Sequence, residues 1–139
     1  MRGTIPGVER TYSTPLIDKL GVRPGARVAI LGVDDEAFRT LLDERTQDVA
    51  DGQPPPDTNV VFLAADSTGE LEALPSLRER IRPNGAIWVV SRKGRDATLR
   101  DVEVIAAAKE AGLVDNKVVS FSDTHTALRL VIPRALRPR

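Results

Sequence analysis

The sequence predicts a single α/β domain in which helices cover both faces of a mainly parallel β-sheet. Three apolar runs of strand length, at 27–33, 59–65 and 86–91, lack polar alternation and therefore indicate strands buried on both faces, as in a parallel sheet. Segments with helical spacing of apolar residues separate these runs. Two further strand-like runs, at 117–123 and 127–133, follow each other closely, which indicates a C-terminal antiparallel hairpin.

The elements before the second strand follow from apolar spacing and turn residues. Residues 15–22 have the spacing of a short helix, and Gly21 suits its C-terminal cap. After a Pro-Gly turn and the first strand, a helix is predicted over 34–44. Asp34 suits the N-cap position, and the acidic residues of the first turn interact favourably with the positive end of the helix dipole. Residues 46–50 fit either a short strand or a loop.

Two helices after the second strand begin with the spacing of a capping box. Ser67 and Glu70 have this spacing, and so do Thr98 and Asp101. Between the two helices, the RPNG sequence at 82–85 predicts a turn. The side chains predicted to face the core are Leu71, Leu74, Leu77 and Ile81 in the first of these helices, and Leu99, Val102, Ile105 and Ala108 in the second.

Composition and length predict one domain and exclude several kinds of site. We divide the chain of 139 residues into an N-terminal arm (1–14), a single α/β domain (15–133) and a basic C-terminal tail (134–139). No cysteine is present, which excludes disulfides, thiolate metal sites and cysteine nucleophiles. No segment resembles a signal peptide, and no apolar run approaches the roughly 20 residues of a membrane span, so we expect a cytoplasmic protein without membrane contact.

Charge patterning bears on partners. The 20 basic and 20 acidic residues balance, which argues against a general nucleic-acid binder because such proteins need a basic face. The first half of the chain is nevertheless acidic and the second half basic. This asymmetry is typical of a two-faced or self-complementary surface, so a homo-oligomer is a further expectation; scattered charges that average out in three dimensions are the alternative.

The order of elements and several phrases resemble the class I methyltransferase version of the Rossmann-like fold. GVRPGARVAILG is similar to the Pro-Gly turn and first strand of that fold, and LRERIRPNGAIWVV is similar to the helix and turn that lead into its fifth strand. The resemblance implies a three-layer fold with a mainly parallel sheet and a C-terminal antiparallel hairpin. The chain is too short for the full set of strands, so we expect a truncated version.

A closer resemblance, over about residues 14–133, is to a family of small bacterial proteins, number 3052 in the series of domains of unknown function. The phrases AGLVDNKV and DTHTALR are its most specific part. This resemblance implies the fold but no activity, and no functional residue is carried over from it.

The loop after the first strand departs from the methyltransferase cofactor motif. In those enzymes an acid and three glycines at fixed spacing allow the backbone to approach adenosylmethionine. When this motif is aligned with VAILGVDDE, only Gly32 matches one of its glycines. This sequence has Ile30 in place of the acid, and Asp34 and Glu36 in place of the other two glycines. The cofactor is therefore unknown: adenosylmethionine or a nucleotide is conceivable, but no intact motif supports either, and no metal site is predicted.

Polar residues after three strands predict a different ligand site, because ligands of open parallel sheets bind beyond the carboxyl ends of the strands. The loop at 91–95 has the composition of an anion-binding loop, and the neighbouring carboxylates suit sugar or amine groups. A solvated loop paired with nearby acids is the alternative. The candidate residues are Gly32, Asp34, Asp66, Ser67, Ser91, Arg92, Lys93 and Arg95.

These features favour a non-catalytic small-ligand-binding or regulatory domain with a degenerate methyltransferase-like fold, whose ligand is small and anionic or nucleotide-like. One alternative is a minimal transferase that binds adenosylmethionine atypically through Asp66 and the 91–95 loop. A second is a structural or partner-binding module. His125, the single histidine, is predicted in the hairpin turn, where turn chemistry explains it better than catalysis does.

Overall fold

The computed structural model describes residues 15–137; the predicted arm at 1–14 and the last two residues of the predicted tail lie outside the described residues. The helices are α1 (Leu16–Lys19), α2 (Glu36–Arg45), α3 (Leu74–Arg78) and α4 (Asp101–Glu110). The strands are β1 (Val28–Leu31), β2 (Val49–Asp51), β3 (Thr58–Ala64), β4 (Ile81–Arg92), β5 (Val114–Ser120) and β6 (His125–Val131). Short 3-10 turns occur at Gly69–Ala73, Gly94–Asp96 and Arg134–Leu136.

The six strands form one sheet in the order β2-β1-β3-β4-β6-β5. The first four strands in that order are parallel, whereas β6 is antiparallel to both β4 and β5. Strand β2 lies on one side of β1, whereas β3 and then β4 lie on its other side. The direction in which strands are added to the sheet therefore reverses between β1 and β3. The predicted α/β class, mainly parallel sheet and terminal hairpin are confirmed, and the undecided segment 46–50 overlaps the first two residues of the short strand β2.

Each face of the sheet has its own hydrophobic core, which makes the domain three-layered. Strand β3 shows why its apolar run is continuous: Val61 and Leu63 pack with α3 and α4, whereas Val60 and Phe62 pack with α1 and α2. Successive strand residues point to opposite faces, so a strand covered on both sides needs apolar residues throughout. No helix within residues 15–137 has the length and apolarity to cross a membrane.

Trp88 anchors α1 to the sheet. Its side chain is fully buried in β4, and its indole Nε1 donates a hydrogen bond to the Leu20 carbonyl oxygen at 3.0 Å. Burial of an indole N–H without a partner would cost free energy, so this bond fixes the end of α1 over the sheet.

Two helical predictions were wrong in detail. The segment after Ser67 forms a 3-10 turn followed by the short helix α3, and Ile81 begins strand β4 instead of extending the helix. Val102 and Ile105, predicted inward, are 62% and 38% exposed, while Val104 and Ala108 are buried. Helix α4 begins at Asp101, and this phase turns Val104 and Ala108, four residues apart, to the core.

The caps also differ from the predicted ones. Asp35, not Asp34, caps α2: its Oδ1 accepts a hydrogen bond from the Phe38 N–H at 2.9 Å. The Thr98 hydroxyl donates to the Asp66 carbonyl oxygen at 2.6 Å instead of capping α4. The Ser67–Glu70 capping box forms only in part: the Ser67 Oγ accepts from the Glu70 N–H at 3.4 Å, but the Glu70 carboxylate accepts from the Asp66 N–H at 2.8 Å instead of from the Ser67 N–H.

The predicted RPNG turn is a bulge within β4. Thr58 pairs with Ile81, but Val60, two residues further on β3, pairs with Ala86, five residues further on β4. The extra residues loop out of register. Gly85 lies in this bulge, and a Cβ added there would be 2.8 Å from the Asn59 carbonyl oxygen, so only glycine lets the two backbones approach this closely.

Candidate functional site

Four neighbouring strands bring polar residues to the same end of the sheet. Strands β1, β3 and β4 end there, and the antiparallel β6 begins there with His125. The reversal of strand order between β1 and β3 lies within this group, which is where open α/β sheets bind ligands. We call this the carboxyl end of the sheet.

A cavity of about 140 Å³ opens at this end, between the loop after β1 and the β5–β6 hairpin. We call it the carboxyl-end cavity. Its apolar wall is formed by Ala64, Val90 and Phe121. The Phe121 ring is held by Phe38, with ring centroids 4.9 Å apart. The polar lining residues are Asp34, Asp35, Thr124 and His125, together with the backbone of Gly32 and Val33.

The polar groups of the cavity are not equivalent. Asp35 is engaged as the cap of α2, whereas Asp34 is exposed and its carboxylate makes no hydrogen bond or ion pair with any residue from 15 to 137. The His125 Nδ1 lies 2.8 Å from the Thr124 Oγ1, so Nε2 is the ring nitrogen left for a ligand. A carboxylate and an imidazole facing one small cavity suit a ligand with hydroxyl or amine groups.

Asp66 and Arg92, which follow β3 and end β4, bind each other at the same end of the sheet. The Asp66 Oδ1 accepts from the Arg92 backbone N–H at 2.9 Å, and the Oδ2 lies 3.7 Å from the Arg92 Nε. Arg92 pairs across strands with His125, which lines the cavity, although Arg92 itself does not line it. The predicted association of Asp66 with the 91–95 loop is therefore present, but it joins the ends of β3 and β4 and uses both carboxylate oxygens.

The other predicted site residues do not line the carboxyl-end cavity. The Ser67 Oγ accepts from the Glu70 N–H, and Ser91 is buried opposite Thr126 in the sheet. Lys93 donates to the Ser120 Oγ at 2.7 Å. Arg92 and Lys93 line a separate, open cleft of about 530 Å³ beside the start of α4, while Arg95 is exposed outside it.

Of the predicted site residues, only Gly32 and Asp34 line the cavity, and the prediction missed the three that come from the β5–β6 hairpin: Phe121, Thr124 and His125. The sequence feature that could have identified these hairpin residues is the single histidine, His125, beside turn residues. The missing information was the strand order, since insertion of β6 next to β4 brings the hairpin tip to the carboxyl end of the sheet.

The carboxyl-end cavity does not fit adenosylmethionine, the cofactor that a methyltransferase-like fold implies. Pockets for molecules of that size measure roughly 300–1,000 Å³, whereas this cavity holds about 140 Å³, or roughly five waters at their liquid volume. Gly32 has a positive φ of 79°, which favours glycine, whereas a Cβ there would only come into contact with that of Ala64 at 3.4 Å, so the turn conformation accounts for this glycine. No glycine follows from Val33 to Glu36, so side chains at every position of this loop keep its backbone from close approach to a ligand. No group of three metal-ligating side chains occurs within the described residues.

The strand order, its reversal at β1 and the antiparallel C-terminal pair define a class I methyltransferase-like fold. A putative type 11 methyltransferase from Sulfolobus solfataricus is similar, with a TM-score of 0.64 and 10% identity over 89% of this chain and 93% of that chain. A chain of the complex between the Haloferax volcanii Trm112 methyltransferase activator and the putative methyltransferase is also similar. Its TM-score is 0.63 and its identity 13%, over 86% of this chain and 87% of that chain. The mitomycin 7-O-methyltransferase MmcR has a TM-score of 0.60 and 8% identity, over 78% of this chain but only 49% of its own. These identities show the fold alone.

The chain belongs to the family described as protein of unknown function (DUF3052), whose model matches residues 17–134. No curated protein matches the sequence. The predicted resemblances to this family and to the methyltransferase-like fold are thus both confirmed, and the chain is truncated relative to a full methyltransferase such as MmcR.

Proposed function

We propose that this protein is a non-catalytic ligand-binding or regulatory domain that uses a methyltransferase-like fold to hold a compact polar molecule at the carboxyl end of the sheet. The observation that carries the proposal is the carboxyl-end cavity: it stands at the reversal of strand order, but its volume of about 140 Å³ is below that of a cofactor pocket. The fold supplies the position, and the side chains after Gly32 restrict the size.

The charges around the cavity indicate the chemistry of its ligand. Asp34 and the His125 Nε2 favour a hydroxyl or an ammonium group inside the cavity. Arg92, opposite His125 across the strands, favours an anionic group on the adjoining surface of the same sheet end. A small amino acid or hydroxy acid carries both groups on a short skeleton. This assignment keeps Asp34 and Arg92 in their predicted ligand-binding roles and Gly32 at the cavity wall, whereas Asp66, predicted to bind the ligand, instead orients the Arg92 backbone and side chain.

The test is a thermal-shift screen of the full chain against amino acids, hydroxy acids, nucleotides, adenosylmethionine and adenosylhomocysteine. A ligand at a hundred times its Kd stabilises the folded state by roughly 2.7 kcal/mol, a shift of several degrees in Tm. We expect compact zwitterions or hydroxy acids to raise Tm and the adenosyl compounds to leave it unchanged. Flat responses to every compound would contradict the proposal.

A matched pair of variants locates the ligand. Asp34→Asn removes one exposed charge from the cavity, and Glu44→Gln removes one exposed charge from the far end of the same helical segment. We expect the first to weaken binding of the identified compound by about tenfold, the effect of a lost charged hydrogen bond, and the second to leave it unchanged. Equal effects would place the ligand elsewhere.

The two alternatives predict different results. A minimal transferase requires saturable binding of adenosylhomocysteine that is lost in Asp66→Ala. A structural or partner-binding module requires no ligand response but a stable assembly, either with itself or with another protein, as in the complex between the Haloferax volcanii Trm112 methyltransferase activator and the putative methyltransferase. Light scattering of the purified chain measures self-assembly directly.

A further inference from the structure

A second cleft among the described residues lies at the opposite end of the sheet from the cavity discussed above. It has a volume of about 660 Å³ and opens beneath the loop from Gly21 to Ala26, which connects α1 to β1. Its walls include the bulge of β4, the first residues of β3 and the middle of β6. We call it the amino-end cleft. Its volume is within the range of small-molecule pockets.

The polar lining of the amino-end cleft has one sign of charge. Arg23 and Arg129 contribute guanidinium groups, Asn59 and Asn84 contribute side-chain amides, and none of the lining residues is acidic. The Asn59 Oδ1 already accepts a hydrogen bond from the Arg27 N–H at 2.9 Å, so the Asn59 side chain has only its NH₂ left to offer. The cleft is therefore rich in hydrogen-bond donors.

Arg129 is a costly residue in this position unless an anion joins it. Its side chain is half-buried beside Trp88, its cross-strand partner, and its one hydrogen bond within residues 15–137 is to the neutral Asn116 Oδ1 at 3.3 Å. Burial lowers the pKa of Arg129 from its ordinary value, and the positive charge of Arg137 lowers the pKa further. An arginine stays protonated all the same, so its charge persists without a carboxylate within 4 Å among the described residues.

We propose that the amino-end cleft binds a compact phosphate-bearing molecule, with the Arg23 and Arg129 guanidinium groups on the phosphate and the Asn59 and Asn84 amides on its remaining polar atoms. Planar guanidinium groups bind phosphate through paired N–H donors, and two of them on different elements enclose an oxyanion from two sides. The site is separate from the carboxyl-end cavity, so it stands whether or not that cavity binds a ligand.

Trp88 provides a direct readout. It is the only tryptophan of the chain, it pairs with Arg129, and its indole bonds to Leu20, which lines the cleft. We would titrate the full chain with inorganic phosphate at constant ionic strength, using sodium chloride as the balancing salt, and record tryptophan emission. We expect a saturable change with phosphate that chloride does not produce. A linear or absent response, or an equal response to chloride, would overturn the proposal.

Two variants show whether the arginines bind the anion. Arg23→Gln changes an exposed side chain, so the fold is retained, and we expect phosphate to bind at least about tenfold more weakly. Arg95→Gln removes the same charge at the opposite end of the sheet and is expected to leave binding unchanged. Equal affinity of Arg23→Gln and the unmodified chain, or equal loss in both variants, would refute a site in the amino-end cleft. Circular dichroism of each variant verifies that it is folded.

Discussion

Replacement of Gly85 by alanine tests whether the bulge in β4 requires a residue without a side chain. A Cβ at this position would lie 2.8 Å from the Asn59 carbonyl oxygen and 3.1 Å from that of Arg82. Both atoms belong to the backbone, so no side-chain rotation relieves the contact, and β3 and β4 must separate locally. Overpacking of a buried site costs about 1–3 kcal/mol, and because the obstacles are backbone atoms we expect a loss of roughly 2–3 kcal/mol.

Gly69→Ala is the matched control. A Cβ at Gly69 would have only the Ser67 Oγ within 4 Å, at 3.9 Å, and the backbone there does not have a positive φ. Alanine fits this position and restricts the unfolded chain more than glycine does. We therefore expect no loss of stability, or a gain of up to about 1 kcal/mol.

The assay is urea denaturation of both variants and the unmodified chain, followed by the emission of Trp88 and by circular dichroism. With a slope of about 2 kcal/mol per molar urea, a loss of 2 kcal/mol lowers the midpoint by about 1 M. Gly85→Ala within about 0.5 kcal/mol of the unmodified chain would refute the argument from close approach. An equal loss in Gly69→Ala would show that glycine replacement alone, and not the contact, is responsible.

The remaining predictions concern buried and capping hydrogen bonds. Trp88→Phe leaves the Leu20 carbonyl without its partner and opens space in the core, so we expect a loss of about 2–3 kcal/mol in the free energy of unfolding. Circular dichroism must follow this variant because no tryptophan remains, and a loss below about 1 kcal/mol would contradict the anchoring role. Asp35→Ala removes the cap on the Phe38 N–H and is expected to cost about 1 kcal/mol in urea denaturation. Asp34→Ala should change stability by less than about 0.5 kcal/mol, and a reversal of this order would show that Asp34 is the cap.

Local pattern was sufficient for most of the fold. The apolar runs that became β1, β3 and β4 are read directly from the sequence, because a strand covered on both faces has no polar positions. The error in α4 has a local cause. The helix begins at Asp101, three residues after the predicted cap, and its phase turns Val104 and Ala108 to the core and leaves Val102 and Ile105 exposed.

The site was only partly predictable because its residues come from distant segments. Asp34 was identified from the loop after β1, and Asp66 and Arg92 from the ends of the next strands. Their pairing, with both Asp66 oxygens committed to Arg92, depends on the adjacency of β3 and β4. Thr124 and His125 join the cavity only because β6 enters the sheet next to β4.

The sequence by itself determined the α/β class, the parallel strands, the terminal hairpin and the loss of glycines after β1, since each depends on residue types within a short window. Tertiary structure alone decided the size of the carboxyl-end cavity and the residues that share it. It also produced the donor-rich amino-end cleft, in which Arg23 and Arg129, more than 100 positions apart, line one space. Strand order determines such neighbours, and strand order is set by packing of the whole chain rather than by any local pattern.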